Sequence, residues 1–179
     1  MLRSSQAMTD QPIHKAAREG DIDKLKKLLN GSLSSQPADV DALGEDGCTG
    51  LILAAQQGKL AAVKLLIEQK ASVDKAAPGT RSTALHLACI EGHSAVAETL
   101  LDNGASVDQK DDRGQTAIIL SVANNQPSCV KLLVTCKADP AISATDGRWK
   151  GKSPLEIAKE KKFDDIAALL QRRSPGPAP

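Results

Sequence analysis

Apolar residues along the chain fall into five pairs of short stretches with helical spacing. The first stretches are QPIHKAAREGD from Gln11, TGLILAAQQGK from Thr49, TALHLACIEGH from Thr83, TAIILSVANNQ from Thr116 and SPLEIAKEKKF from Ser153. The second stretches follow at the same offset and are IDKLKKLL, LAAVKLLI, SAVAETLL, PSCVKLLV and DDIAALLQ. Apolar residues three or four positions apart predict an amphipathic helix for each stretch. Because the units recur every 33 to 38 residues, the sequence predicts a repeat architecture.

Residue types at the ends of the stretches predict where the helices begin and end. A hydroxyl side chain that can cap a helix stands at the start of four units: Thr49, Thr83, Thr116 and Ser153. Glycines that can turn the chain with a positive φ follow the first stretch in three units: Gly20, Gly58 and Gly92. Two helices of this length cannot bury their apolar faces by themselves, so the units are expected to stack on one another.

The five units resemble ankyrin repeats, which have about 33 residues and a T-P-L-H-x-A signature, and TALHLACIEGH from Thr83 is the closest copy. The resemblance implies an all-α solenoid of about five helix–turn–helix repeats with projecting hairpin-like loops. The repeats start near residues 11, 49, 83, 116 and 153. Some positions depart from the family pattern: Ile52, Ile119 and Glu156 replace its His, Asn125 and Lys162 stand where the turn Gly is usual, and Lys70 and Lys137 replace a later Gly.

The two ends of the chain predict the limits of the repeat domain. We expect a flexible N-terminal extension over residues 1–10 and the ankyrin-repeat domain over residues 11–171. The final SPGPAP cannot continue a helix, so residues 172–179 are expected to form a disordered Pro-rich tail.

The composition indicates which residues form the core. Only 1% of residues are aromatic, against 41% hydrophobic and 25% charged, so Ala, Leu, Val and Ile must supply the buried surface.

The charge and the hydrophobic runs indicate which partners to expect. A net charge of +1, balanced in both halves, argues against a nucleic-acid partner. The sequence has no run of eighteen apolar residues, and residues 1–8 lack the apolar stretch of a secretory signal, so no membrane association is expected. We therefore expect a cytoplasmic or nuclear protein that is monomeric on its own.

The sequence lacks the motifs that would point to catalysis. It contains no G-x-S-x-G motif, phosphate loop or dinucleotide fingerprint, and no Cys or carboxylate pair completes a zinc site with its histidines. The prediction is a protein without enzymatic activity, cofactor or metal. The family resemblance implies instead that His14, His86 and His93 hydrogen-bond neighbouring loop backbone.

The cysteines form no CxxC pair and are expected to be free thiols: Cys48, Cys89, Cys129 and Cys136. Cys89 replaces a packed Ala of the family pattern, and we expect it to be buried and inert. Cys48 and Cys136 fall at positions expected to be exposed, where they are either reactive or ordinary thiols.

The family resemblance implies that another protein binds to a concave surface made by the first helices and the loop tips. The positions that match the family's interaction residues are mostly polar and together define a stripe along the solenoid. The candidate partner-binding residues are Glu45, Asp46, Gln56, Gln57, Ile90, Glu91, Asp112, Arg113, Gln115, Asn124, Trp149, Lys150 and Lys152.

Trp149 is the single tryptophan and lies in the insertion ATDGRWKGK, beside three basic residues. Trp and Arg are enriched in interface hot spots, so one hypothesis is that this loop contacts an acidic partner. The alternative is that Trp149 folds back over the last repeat as part of its cap.

More specific roles remain open from the sequence. The chain could act as a regulatory inhibitor or a stabilising subunit of a larger complex, of the kinase-inhibitor, transcription-factor-retention or proteasome-chaperone type. Asp74 and Asp108 resemble positions that Fe(II)-dependent asparaginyl hydroxylases modify, which would make the chain a hydroxylase substrate. A structural role for both residues in the turn between repeats is favoured.

Overall fold

A computed structural model describes residues 12–33 and 36–171 of the chain. The predicted flexible extension over residues 1–10 and the predicted disordered tail over residues 172–179 lie outside these described residues.

Ten α-helices, arranged as five consecutive pairs, make up the regular structure of the described residues. They are α1 (Pro12–Glu19), α2 (Ile22–Leu29), α3 (Gly50–Gln56), α4 (Leu60–Glu68), α5 (Ala84–Glu91), α6 (Ser94–Asp102), α7 (Ala117–Ala123), α8 (Pro127–Thr135), α9 (Pro154–Glu160) and α10 (Asp164–Gln171). A short 3₁₀ turn, Gly147–Trp149, precedes α9. The prediction of an all-α helix–turn–helix solenoid is therefore confirmed.

The helices form two layers along the stack. Each odd-numbered helix packs on the next odd-numbered helix, each even-numbered helix packs on the next even-numbered one, and the two helices of a pair pack on each other. The odd-numbered, inner helices therefore have neighbours on several sides. Every residue from Gly50 to Ala55 in α3 and from Ala117 to Val122 in α7 is buried.

Small residues allow the inner helices to approach each other closely. Ala16, Ala17, Ala54, Ala55, Ala88 and Cys89 are all fully buried. A Cβ placed on Gly50 would lie 3.4 Å from the Cβ of Ala17, so the space between α1 and α3 admits no larger group without displacement. This tight spacing explains the low aromatic content, because large rings do not fit between the layers.

The predicted capping chemistry is confirmed at Thr49 and Ser153 but is wrong at Thr116, whose buried hydroxyl makes no hydrogen bond within the described residues. The Thr49 hydroxyl accepts a hydrogen bond from the backbone N–H of Ile52 at 3.2 Å. The Ser153 hydroxyl caps α9 in the same way, and the Glu156 carboxylate accepts from the Ser153 N–H at 2.8 Å, which completes a capping box.

The turns after the helices require left-handed backbone, whichever residue occupies them. Gly58 and Gly92 have φ values of 65° and 79°, and a Cβ on Gly58 would lie 2.7 Å from the His93 ring. Lys70 and Lys137, which replace a later Gly of the family pattern, adopt φ values of 67° and 65°. A side chain in this conformation is strained, so each lysine stores unfavourable free energy.

Carboxylates link successive repeats at the turn that follows each outer helix. Asp74 accepts hydrogen bonds from the Ser106 backbone N–H at 3.0 Å and from the Ser106 hydroxyl. Asp41 bonds Ser72 in the same way one repeat earlier, and Asp108 accepts from the backbone N–H of Asp139 at 2.9 Å one repeat later. These bonds support the structural role of Asp74 and Asp108 that the sequence favours.

A second series of bonds satisfies the last carbonyls of the inner helices. His93 Nε2 lies 3.1 Å from the Gln56 carbonyl oxygen, and the Gln126 amide donates to the Ile90 carbonyl at 3.0 Å. In the last repeat Phe163 occupies the equivalent position, and its side chain has no hydrogen-bond donor. Lys161 Nζ donates to the Ala123 carbonyl there instead, at 2.7 Å. Each inner helix from α3 to α7 is therefore capped by a side chain of the following repeat.

Replacing Lys70 with glycine is expected to stabilise the protein by roughly 0.5 kcal/mol. Glycine removes a left-handed strain of about 1–2 kcal/mol, which outweighs its own entropic cost of about 0.5–1 kcal/mol. Lys64→Gly, in the middle of α4, is the matched control, because glycine there should destabilise by about 0.5–1 kcal/mol. Urea unfolding followed by circular dichroism measures both, and a loss of stability in Lys70→Gly comparable to that of the control would contradict the prediction.

Candidate functional site

An open groove of about 280 Å³ lies between the loop tips of repeats 2 and 3 and their inner helices, α3 and α5. The loop tips contribute Asp46, Cys48, Ala77, Gly79, Thr80 and Ser82, and the inner helices contribute Ile52, Gln56 and Leu87. We call the surface that contains this groove, formed by the loop tips and the exposed ends of the inner helices, the inner face.

The groove combines an apolar floor with a polar rim. Ile52 is fully buried and Leu87 is half-buried, whereas Asp46 and Thr80 on the rim are exposed. The family resemblance selected Asp46 and Gln56, and the structure brings both into the groove. The family resemblance did not select Ile52 or Leu87. The signal for Ile52 was present in the sequence, because an apolar residue replaces the family His there and removes a polar ring from the floor.

The tip of repeat 2 is held by a turn centred on Asp46. Its carboxylate accepts the backbone N–H of Cys48 at 2.9 Å and forms an ion pair with Arg18 of repeat 1 at 3.5 Å. Both partners of the pair are roughly half exposed, so it is expected to contribute at most about 1 kcal/mol. Its main effect is to fix the position of the Asp46 carboxylate at the groove rim.

Cys48 differs from its predicted environment. The side chain is half-buried rather than exposed, because it lies under the rim of the groove. Burial, followed by the nearby Asp46 carboxylate, raises the pKa of the Cys48 thiol to about 11. The reactive thiolate is therefore scarce at neutral pH, which favours an ordinary thiol over a reactive one.

The other cysteines match their predicted exposure. Cys136 is exposed, and Cys89 is fully buried. A hydrogen bond that the Cys89 thiol donates to the neighbouring Cys129, together with burial, raises the pKa of Cys89 well above its usual range, so its thiol stays protonated.

Most of the remaining candidate residues lie on the surface of the inner face. The exposed residues are Glu45, Gln57, Glu91, Asp112, Arg113, Asn124 and Lys150, and the partly buried ones are Ile90 and Lys152. Gln115 departs from this pattern, since it is only 6% exposed and its backbone N–H donates to the Asp111 carboxylate at 2.7 Å. Gln115 is a buried part of the repeat 4 tip, so its side chain is poorly placed to meet a partner.

Trp149 is not an exposed loop residue as one of the two hypotheses required. Its side chain is 6% exposed and belongs to the apolar core of the last repeat. The Asp146 side chain accepts from the Gly147 N–H, which starts the 3₁₀ turn that directs Trp149 inward. The structure thus favours the cap hypothesis, and the expectation that the ring itself stands exposed for a partner is wrong.

Three cations surround the Trp149 ring. The Arg148 guanidinium carbon lies 4.7 Å from the ring centroid, Lys161 Nζ lies at 5.7 Å and Lys152 Nζ at 5.8 Å. Such cation–π contacts contribute about 0.5–1 kcal/mol at exposed sites. The buried indole therefore fixes basic groups at this end of the inner face.

The histidines make the backbone contacts that the family resemblance implies. Nε2 of His14 lies 2.9 Å from the Ala42 carbonyl oxygen, and Nε2 of His86 lies 3.0 Å from that of Gln109. The Thr83 backbone N–H donates to Nδ1 of His86, which places the proton of the neutral ring on Nε2. Burial lowers the pKa of His86 despite partly opposing contributions from the Gln109 carbonyl and nearby carboxylates.

Truncating the Trp149 ring is expected to destabilise the last repeat. Trp149→Ala removes a buried indole and should lower the free energy of unfolding by about 3 kcal/mol. Leu33→Ala, at a side chain that is 56% exposed, is the control and should change stability by less than about 0.5 kcal/mol. Chemical unfolding followed by circular dichroism compares them, and a Trp149→Ala variant as stable as the control would rule out a role in the cap.

His86 predicts a loss of stability in mild acid. Because its pKa in the folded state lies below the unfolded value of about 6.5, the unfolded chain takes up the proton first. The contribution of His86 is complete above pH 6.5 and declines as the pH falls from 6.5 towards the folded pKa. Unfolding titrations between pH 7.5 and 5 should therefore show a steeper decline for wild type than for His86→Gln. Parallel profiles would contradict this account.

No helix within residues 12–33 and 36–171 is both long and apolar enough to cross a membrane.

Comparison with known proteins identifies the family. A model for ankyrin repeats in three copies matches residues 13–111, and a model for a single ankyrin repeat matches residues 113–146. Ankyrin repeat and SAM domain-containing protein 6 of Mus musculus is 31% identical over 85% of this chain and 18% of its own length. B-cell lymphoma 3 protein of Homo sapiens is 31% identical over 79% of this chain and 32% of its own length.

The chain therefore spans a third or less of these two proteins. Ankyrin repeat protein YahD of Escherichia coli (strain K12) is 30% identical over 87% of this chain and 92% of its own length. The fifth helix pair, α9 and α10, lies beyond the matched residues but packs on α7 and α8 in the same way as the earlier pairs. On the family models and these relatives, the chain belongs to the ankyrin-repeat family.

Proposed function

We propose that this chain is a non-enzymatic adaptor that binds another protein along its inner face. Ankyrin repeats support a role in protein–protein interaction. The observation that carries the proposal is the groove between repeats 2 and 3, where the half-buried side chain of Leu87, backed by the fully buried Ile52, lies under a polar rim. Protein interfaces have this arrangement of an apolar centre surrounded by polar groups.

The loop tips of repeats 3, 4 and 5, which extend the inner face beyond the groove, are connected to each other. The Thr80 carbonyl of repeat 3 accepts the Asp112 N–H of repeat 4 at 2.9 Å, and the Arg113 carbonyl accepts the Thr145 N–H of repeat 5, also at 2.9 Å. These bonds hold the tips of repeats 3 to 5 in a fixed register. A partner that contacts several tips therefore meets a preorganised surface and loses less conformational entropy on the protein side.

The chemistry of the inner face agrees with binding rather than catalysis. Cys48, the thiol in the groove, is protonated at neutral pH because burial and Asp46 raise its pKa. His86 and His93 contact backbone carbonyls through Nε2, which commits both rings to the scaffold. Positive and negative residues alternate at the tips, as at Asp112 and Arg113, and this favours a protein partner over a nucleic acid.

Filling the groove provides the test. Gly79 is exposed, a Cβ there would meet no atom within 4 Å and its φ is not left-handed, so the backbone accepts a side chain and Gly79→Trp places a large ring at the rim. We expect this variant to lose the proteins that wild type recovers in affinity purification while it keeps the wild-type melting temperature. Lys64→Trp adds the same ring on the outer helix α4 and should recover the wild-type set.

Quantitative mass spectrometry of the three baits compares the recovered proteins. If Gly79→Trp and Lys64→Trp recover the same proteins in the same amounts as wild type, the inner face around the groove does not bind the partner.

A further inference from the structure

Three contacts hold the ammonium group of Lys161 in one position. Its Nζ donates to the Ala123 carbonyl at the end of α7 and lies 5.7 Å from the Trp149 ring centroid and 5.2 Å from that of Phe163. The side chain is partly buried by these contacts. An ammonium held by two rings and a carbonyl has already lost most of the rotamer freedom that a surface lysine loses on binding.

The charge of Lys161 has no anionic partner within the part of the chain that the structure describes. No carboxylate of those residues lies within 4.0 Å of its Nζ, although the neighbouring Lys152 forms an ion pair with Glu160. Arg148 is likewise without a carboxylate partner among residues 12–33 and 36–171, and it is exposed above the same indole. Two uncompensated cations therefore flank one buried ring.

These cations lie on the inner face. Lys161 follows directly after α9 and reaches the end of α7, and Arg148 belongs to the loop tip of the same repeat. The tip of repeat 4 is adjacent, since the Arg113 side chain would lie 3.4 Å from a Cβ on Gly147. Positive charge is thus present both at the helix ends and at the tips.

We propose that Lys161 and Arg148 form a subsite for carboxylate side chains of an acidic segment in the partner protein. This rests on the proposed function, because it assigns chemistry to the partner at one end of the inner face. Asp146 and Glu156 are exposed in the same repeat, and these negative charges would repel the continuous phosphate backbone of a nucleic acid. The carboxylates of a peptide stand on separate flexible side chains, so some can reach the cations while others turn away from Asp146 and Glu156.

The proposal gives Trp149 a role different from that of an interface residue. The indole contacts the cations rather than the partner, so it positions Lys161 and Arg148 for binding. The subsite is expected to weaken as salt concentration rises, because exposed charge pairs are screened by mobile ions.

A peptide titration tests the subsite without knowledge of the natural partner. The probe is acetyl-hexaglutamate-amide, added to the ¹⁵N-labelled full chain at low salt, with the indole N–H resonance of Trp149 as the readout. An uncharged Ser-Gly hexapeptide is the control ligand. We expect saturable shifts with the glutamate peptide and none with the uncharged one.

Two variants distinguish the effect of losing a charge from the effect of disturbing the fold. Lys161→Gln removes the charge but retains an amide donor of the kind that Gln126 uses one repeat earlier, and Arg148→Gln changes an exposed side chain. Each substitution should lower the affinity for the glutamate peptide roughly threefold or more, whereas Lys64→Gln on the outer helix should bind the peptide as wild type does.

Wild-type affinity in both Lys161→Gln and Arg148→Gln would overturn the proposal. Tighter binding of hexathymidylate than of hexaglutamate would also overturn it, in favour of a nucleic-acid surface.

The peptide titration is independent of the Gly79→Trp test of the groove. Loss of natural partners in Gly79→Trp with unchanged peptide binding in both Lys161→Gln and Arg148→Gln would reject the subsite alone. Retention of the partners in Gly79→Trp with weakened peptide binding in Lys161→Gln would reject the proposed binding face around the groove and leave the subsite in place.

Discussion

The close packing of the inner helices is the constraint on which the rest of the structure depends. Ala54 and Ala88 are fully buried where α3 meets its neighbours, and the Cβ of Ala17 lies within van der Waals distance of the position that a Cβ on Gly50 would occupy. At this spacing the stack is held by many small contacts between adjacent repeats rather than by one thick core. In α3, α5 and α7 no residue before the C-terminal end is exposed, and these ends are part of the proposed binding surface.

The scaffold could be predicted from the sequence because its signals are local and repeated. The caps at Thr49 and Ser153 and the turns at Gly58 and Gly92 each depend on a residue type within a few positions. Because the pattern occurs in five copies, each copy supports the helix and turn assignments made in the others. Even where Lys70 replaces the family Gly, the backbone keeps the left-handed conformation, because the packing of the repeat determines the turn.

The candidate site was less predictable, because the direction of a side chain depends on contacts far away in sequence. Gln115 was expected on the partner-binding stripe, and Trp149 was left open between an interface and the cap; both side chains are buried. The Asp111 carboxylate organises the loop around Gln115, and the 3₁₀ turn directs Trp149 into the last repeat. Neither arrangement follows from the repeat pattern. The apolar floor of the groove was also missed, since Leu87 resembles any other leucine of an amphipathic helix.

The bonds that cap the inner helices use a different donor at each junction. An imidazole from His93, an amide from Gln126 and an ammonium from Lys161 perform the same task in successive repeats. The repeats therefore share a backbone but are not interchangeable units. Exchange of the fourth and fifth repeats would separate Gln126 and Lys161 from the carbonyls beside which they lie and would leave only the His93 contact in place, so the side chains at the junctions favour the natural order of the repeats.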